Sequence, residues 1–166
     1  MWNRNVSGAD VAKGALAGLA GGLVASWTME KFQAALSKTV QKQKQGGGEP
    51  ATVKVAQGVS QKLRSRDLAP EEKQPAGEMV HYAFGGGAGA VYGLTAETVP
   101  KAKAGWGTLF GAVLWVLADE VGVPAAGLGE WPAHSPAGEQ AAALAAHLVY
   151  GATVETVRRG VRGLLG

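Results

Sequence analysis

Long apolar stretches separated by polar links dominate the chain. Runs rich in Ala, Gly, Leu and Val cover roughly residues 13–36, 78–99, 105–123 and 138–158, each about the length that a helix needs to cross a bilayer. The pattern predicts an all-α polytopic membrane protein, a single helical domain over residues 1–166 with four transmembrane helices. Pro100, Pro124, Pro132 and Pro136 punctuate the connections, where residues that cannot continue a helix belong. Trp27, Trp106 and Trp131 fall near the predicted interfaces, the usual depth for amphipathic rings. A basic loop, residues 37–77, separates the first two runs. After the polar "QKQKQGGGEP" it continues as "ATVKVAQGVSQKLRSRDL", in which Val55, Val59 and Leu63 share a helical face and Lys54, Lys62, Arg64 and Arg66 lie elsewhere. This reads as an amphipathic helix, either lying on the membrane surface or packed on the bundle.

Inside the runs, small residues recur every four positions and lead to an acid. The ridges are Gly14, Gly18, Gly22, Ser26 and Glu30; Gly85, Gly89, Gly93 and Glu97; Gly107, Gly111, Trp115 and Asp119; and Ala143, His147, Gly151 and Glu155. Residues at this spacing share one face, and small ones let helix backbones approach closely in lipid. The ridges therefore predict packing seams, with the acids pointing into the bundle. Glycine in a helix costs about 1 kcal/mol relative to Ala, a penalty that is tolerated where every backbone group must bond internally. The segments "AVYGLTAETV" at 90–99 and "LVYGATVETV" at 148–157 match at seven of ten positions. Segments two and four would run in the same direction, so the match predicts two related hairpins.

Composition agrees with this picture. Only 17% of the 166 residues are charged, against about 25% in typical soluble domains, and 26 are glycine. The absence of cysteine excludes disulfides, thiolate metal sites, cysteine nucleophiles and an acylated lipoprotein terminus. A net charge of +3 without an aromatic-basic motif gives no reason to expect a nucleic-acid partner. Arg4 and Lys13 before "AGGLVAS" are compatible with a signal peptide, although the run continues through Trp27 and Met29 as a spanning helix would. For orientation, Arg4, Lys13, Lys101, Lys103, Arg158, Arg159 and Arg162 oppose Lys38, Lys42, Lys44, Lys54, Lys62, Arg64, Arg66 and Lys73. Short flanks weigh more than long loops, which favours cytoplasmic termini.

Ionisable groups inside spans usually face protein or water and are often functional. By position, Glu30, His81, Asp119 and Glu120 should lie toward one membrane face, Glu97 and Glu155 toward the other near Lys101, Arg158 and Arg159, and His147 about midway. Such a set could pass protons or hold a cation; equally, the outer acids could pair with those bases while the others join helices together. Asp119, Glu120, His81 and His134 have no recognised metal-ligand spacing, "GGGAGAVYG" lacks the strand and lysine of a phosphate loop, and no hydrolase motif is present. Neither catalytic residues nor a cofactor is expected.

With "KGALAGLAGG", "VHYAFGGGAGAVYGLTAETVP", "GWGTLFGAVLWVLADEVGVPAAGL" and "AAHLVYGATVETVRRGVR", the chain resembles the YagU-like family of small bacterial inner membrane proteins. The resemblance implies a polytopic inner membrane protein without established biochemistry, one member being linked to acid tolerance. Three functions follow as expectations: a non-enzymatic protein for proton or cation handling, a structural or accessory subunit in a homo-oligomer or larger membrane complex, and a glycine-zipper envelope protein, which the missing lipoprotein cysteine disfavours.

Overall fold

The computed structural model describes residues 6–40 and 48–166. Arg4, Lys42 and Lys44, which entered the orientation count, lie outside the described residues, as does the Lys38 side chain. The described residues are almost wholly helical: α1 spans Gly8–Val40, α2 Ala51–Arg64, α3 Pro70–Thr98, α4 Thr108–Trp115, α5 Val123–Ala125 and α6 Ala137–Leu165. Among them there is no strand.

Local chemistry sets the boundaries, and several differ from the sequence expectation. Helix α1 starts before residue 13 because Ser7 and Asp10 cap each other: Asp10 N–H donates to Ser7 Oγ at 3.1 Å and Ser7 N–H to Asp10 Oδ2 at 3.1 Å. Helix α3 starts at Pro70, well before 78, since Pro suits the first helical position and Glu72 accepts the Ala69 N–H at 2.9 Å. The third segment is less regular than a helix over 105–123. It opens as a 3-10 turn, Pro100–Gly107, broken by positive φ at Gly105, Trp106 and Gly107, runs as α4, and widens into a π-helix over Val116–Gly122 before α5.

The long helices alternate in direction. Gly14, Gly18 and Gly22 of α1 pack backbone to backbone on Gly93, Gly89 and Gly85 of α3, so close that a Cβ would collide with the facing main chain. Gly107 and Gly111 meet Gly151 and the His147 main chain of α6 in the same way. The two contacts share a register. Gly14 faces Gly93 beside Glu97 as Gly107 faces Gly151 beside Glu155, and Gly18 faces Gly89 as Gly111 faces His147. Gly21 of α1 then joins the hairpins by packing on Val154. Both described ends meet, with Arg162 Nη2 donating to Asp10 Oδ1 at 2.7 Å and Lys13 Nζ to the Gly166 carbonyl at 2.9 Å.

Helix α2 lies on the start of α3, where Val53 rests against Gly77 and Lys54 Nζ donates to the Leu128 carbonyl at 2.8 Å. Its buried residues are Val53, Ala56 and Ser60, whereas Val59 and Leu63 of the anticipated face are exposed. The seams are lined by small residues around a core of Met29, Tyr92, Tyr150 and Val154, and many bulky apolar side chains face outward. Ala17, Ala25, Ala96 and Ala146 are buried with the glycines, while Leu16, Trp27, Val91 and Leu117 are each more than half exposed. Lys101–Ala125, with mean hydropathy 1.4, is long and apolar enough to cross a membrane; no other helix among the described residues meets both conditions. Glycine and interspersed polar or charged residues keep the other three candidates below it.

Candidate functional site

The ionisable residues gather at opposite ends of the bundle and differ in how fully they are paired. At the end where the described termini meet, Glu155 is fully buried. Its carboxylate accepts from Tyr92 Oη at 2.9 Å, Arg158 Nε at 2.7 Å and Arg159 Nε at 2.6 Å. Glu97 accepts from Arg158 Nη1 at 3.3 Å and Arg162 Nε at 3.1 Å. Arginine suits such a cluster because its planar fork serves two carboxylates at once. The partners are thus Arg158, Arg159 and Arg162. Lys101, in the 3-10 turn, makes no ion pair with a described residue, while Trp106 lies under the Arg159 guanidinium at 3.9 Å and donates to Thr156 Oγ1 at 2.9 Å.

The opposite end is open. A cavity of about 1160 Å³ lies between α1, α2, α3, the π-helical segment and α6. Glu30, His81, Asp119 and His147 line it. His147, expected midway, sits beside Asp119, with Nδ1 3.7 Å from Asp119 Oδ2 and 3.0 Å from the Ala143 carbonyl. His81 Nε2 is 3.3 Å from the Ser26 carbonyl, and Glu30 accepts from Tyr82 Oη at 3.1 Å and Lys31 Nζ at 2.8 Å. Asp119 accepts no hydrogen bond from any described residue. Glu120, on the same π-helical segment, turns from the cavity toward the Gln140 amide, 2.7 Å away.

Two relevant residues, Tyr82 and Tyr150, escaped the sequence reading, and a third, Ser26, was read only as part of the packing ridge. Tyr82 fixes Glu30, and Tyr150 Oη donates to the Gly85 carbonyl within the cavity wall. Ser26 is fully buried on that wall, and its Oγ has no partner among the described residues. The repeat had exposed the signal for Tyr150, whose counterpart in α3 is Tyr92. No group of three or more His, Asp or Glu suited to a metal ion occurs among the described residues. The arrangement can hold positive charge or exchange protons, because a partly exposed carboxylate stands beside an imidazole at the wall of a roomy cavity.

A family model described as a protein of unknown function, DUF1440, matches residues 38–156. The chain belongs to the DUF1440 family. In this DUF1440 protein the match takes in His81, Asp119, His147, Glu97 and Glu155, while Glu30 precedes it. No curated protein and no solved structure matches the chain.

Proposed function

We propose that this DUF1440 protein is a small multi-pass inner membrane protein of the YagU-like kind, non-enzymatic, which handles protons or cations through Asp119 and His147. The observation that carries the reading is the unsaturated Asp119–His147 pair on the cavity, with 3.7 Å between Oδ2 and Nδ1. The other titratable groups on the same cavity are Glu30 of α1, Glu49 just before α2, Lys73, Glu78 and His81 of α3 and Tyr150 of α6, and proton exchange at the pair is subject to all of them. Acid tolerance would follow from such handling. The outward Leu16, Leu23, Val91, Val113 and Leu117 support membrane embedding, since soluble monomers rarely expose large contiguous apolar surface. About twenty residues separate the levels of Asp10 and Glu30 on α1, roughly 30 Å of helix, which suits a hydrocarbon core. The arginines at the end where the described termini meet support a cytoplasmic side for that end, with the cavity opening toward the other side.

A purely structural role has less support. Gly14, Gly18, Gly22, Gly85, Gly89, Gly93, Gly107, Gly111 and Gly151 are spent on contacts within the chain and offer no seam to a homo-oligomer or larger membrane complex. Proton flux in proteoliposomes tests the proposal. An imposed pH gradient should dissipate about an order of magnitude more slowly with Asp119→Asn or His147→Ala than with the parent chain, as expected for loss of a proton-transfer group. Equal rates for all three proteins, each shown to be folded by circular dichroism, reject it.

A further inference from the structure

The two hairpins provide an internal comparison. In their shared register Gly89 is equivalent to His147; carried one turn further it makes Gly22 equivalent to Trp115 and Gly85 to Ala143, and a second turn makes Ser26 equivalent to Asp119. In the first hairpin these positions close the seam down to Ser26. In the second, bulky and ionisable residues interrupt it, and Asp119 and His147 face the cavity. The seam therefore opens where the second hairpin departs from the first, and the π-helical segment, a feature often found at functional sites, begins at the same place.

The cavity wall indicates what would fit. Met29, Val53, Phe84, Leu114, Leu117 and Val123 make much of it apolar. Its charge is lopsided: Glu30, Glu49, Glu78 and Asp119 face one lysine, Lys73, which is already paired with Glu49 at 2.8 Å. Ser26 also borders the cavity, its hydroxyl buried against Gly85 in the α1–α3 seam. The carboxylates are dispersed, and no three-residue metal group occurs among the described residues, so the compact oxygen shell that a divalent ion requires is missing. A diffuse positive charge on an apolar body suits a mainly apolar wall with one unsatisfied acid, and the Phe84 and Tyr150 rings suit it further.

We propose that this cavity binds a lipophilic organic cation, with Asp119 as counter-ion and the apolar wall receiving its body. The proposal rests on the same reading of the cavity as the function above and names its ligand class. The probe is tetraphenylphosphonium, titrated into detergent-solubilised protein by isothermal calorimetry, with neutral triphenylphosphine oxide alongside. The parent chain should bind the phosphonium saturably at one site per chain. Asp119→Asn should weaken binding at least about tenfold, Asp119→Glu should retain most of it, and Glu139→Gln, on the exposed first turn of α6, should leave it unchanged. Melting followed by circular dichroism confirms that each variant is folded. No saturable binding, equal affinity in Asp119→Asn, or equal affinity for the neutral oxide overturns the proposal; the last result would indicate a groove for lipid chains. Asp119-dependent proton flux without phosphonium binding removes the ligand and leaves the proton reading standing. Phosphonium binding without Asp119-dependent flux does the reverse.

Discussion

Single glycines decide whether the helices can meet. Gly93 faces the Gly14 carbonyl and the Gly18 Cα, and a methyl there has no flexible side chain to push aside. Gly87, six positions earlier on the same helix, has open space around it. Gly93→Ala should therefore lower stability by about 1–3 kcal/mol or more, the range for overpacked sites. Gly87→Ala should be neutral or stabilising by up to about 1 kcal/mol through helix propensity. Thermal melts in detergent compare the two, and equal shifts would mean that the seam is not where it has been placed. The seam residues were legible in the sequence because four-residue spacing maps directly onto one helix face. The cavity residues were only partly so: Glu30, His81, Asp119 and His147 could be picked out as ionisable groups in apolar runs, but Ser26 is one small residue among many and Tyr82 carries no pattern. What Asp119 faces depends on the π-helical widening, which no spacing rule reports.

Among the elements, the α2–α3 hairpin shows most clearly how polar contacts fix a boundary. Arg66 grips Glu72 through both guanidinium nitrogens, each at 2.7 Å, while the Ala69 N–H donates to the same carboxylate. Arg66 first, and the Ala69 N–H second, hold Glu72 well below the usual carboxylate range, at about 2. A carboxylate depressed in the folded state stabilises fully above its ordinary value near 4.5 and loses that contribution as pH falls toward about 2. Limited proteolysis at the 65–69 turn should accelerate across that window in the parent chain. Glu72→Gln should be cut readily at every pH, with the acid-dependent step gone; an unchanged step would assign it to another group. Such contacts also explain the misplaced boundaries. Hydropathy marks where a helix is apolar, but α1 and α3 extend beyond their apolar runs on caps made by Asp10 and Glu72. The break before α4 depends on positive φ at Gly105, Trp106 and Gly107, and a tryptophan gives no warning of that.

At the scale of the whole molecule, an all-helical bundle of alternating direction was legible, and so was the sorting of acids to its two ends. The expectation of four spanning helices went further than the structure, in which one helix, Lys101–Ala125, is long and apolar enough to cross a membrane; glycine and interspersed charge dilute the hydropathy of the other three segments. The central claim is that the bulky apolar face of the bundle stands in lipid. The natural absence of cysteine makes single-cysteine labelling in intact membranes the most direct measurement. Cysteine in place of Leu16, Leu23, Val91 or Val113, all on the outer face, should resist a membrane-impermeant maleimide until the membrane is dissolved and the chain denatured. Cysteine in place of Leu63, on the exposed face of α2, should label from whichever side that helix occupies. Ready labelling of the four outer positions in intact membranes, or recovery of the chain in the soluble fraction, would contradict the account.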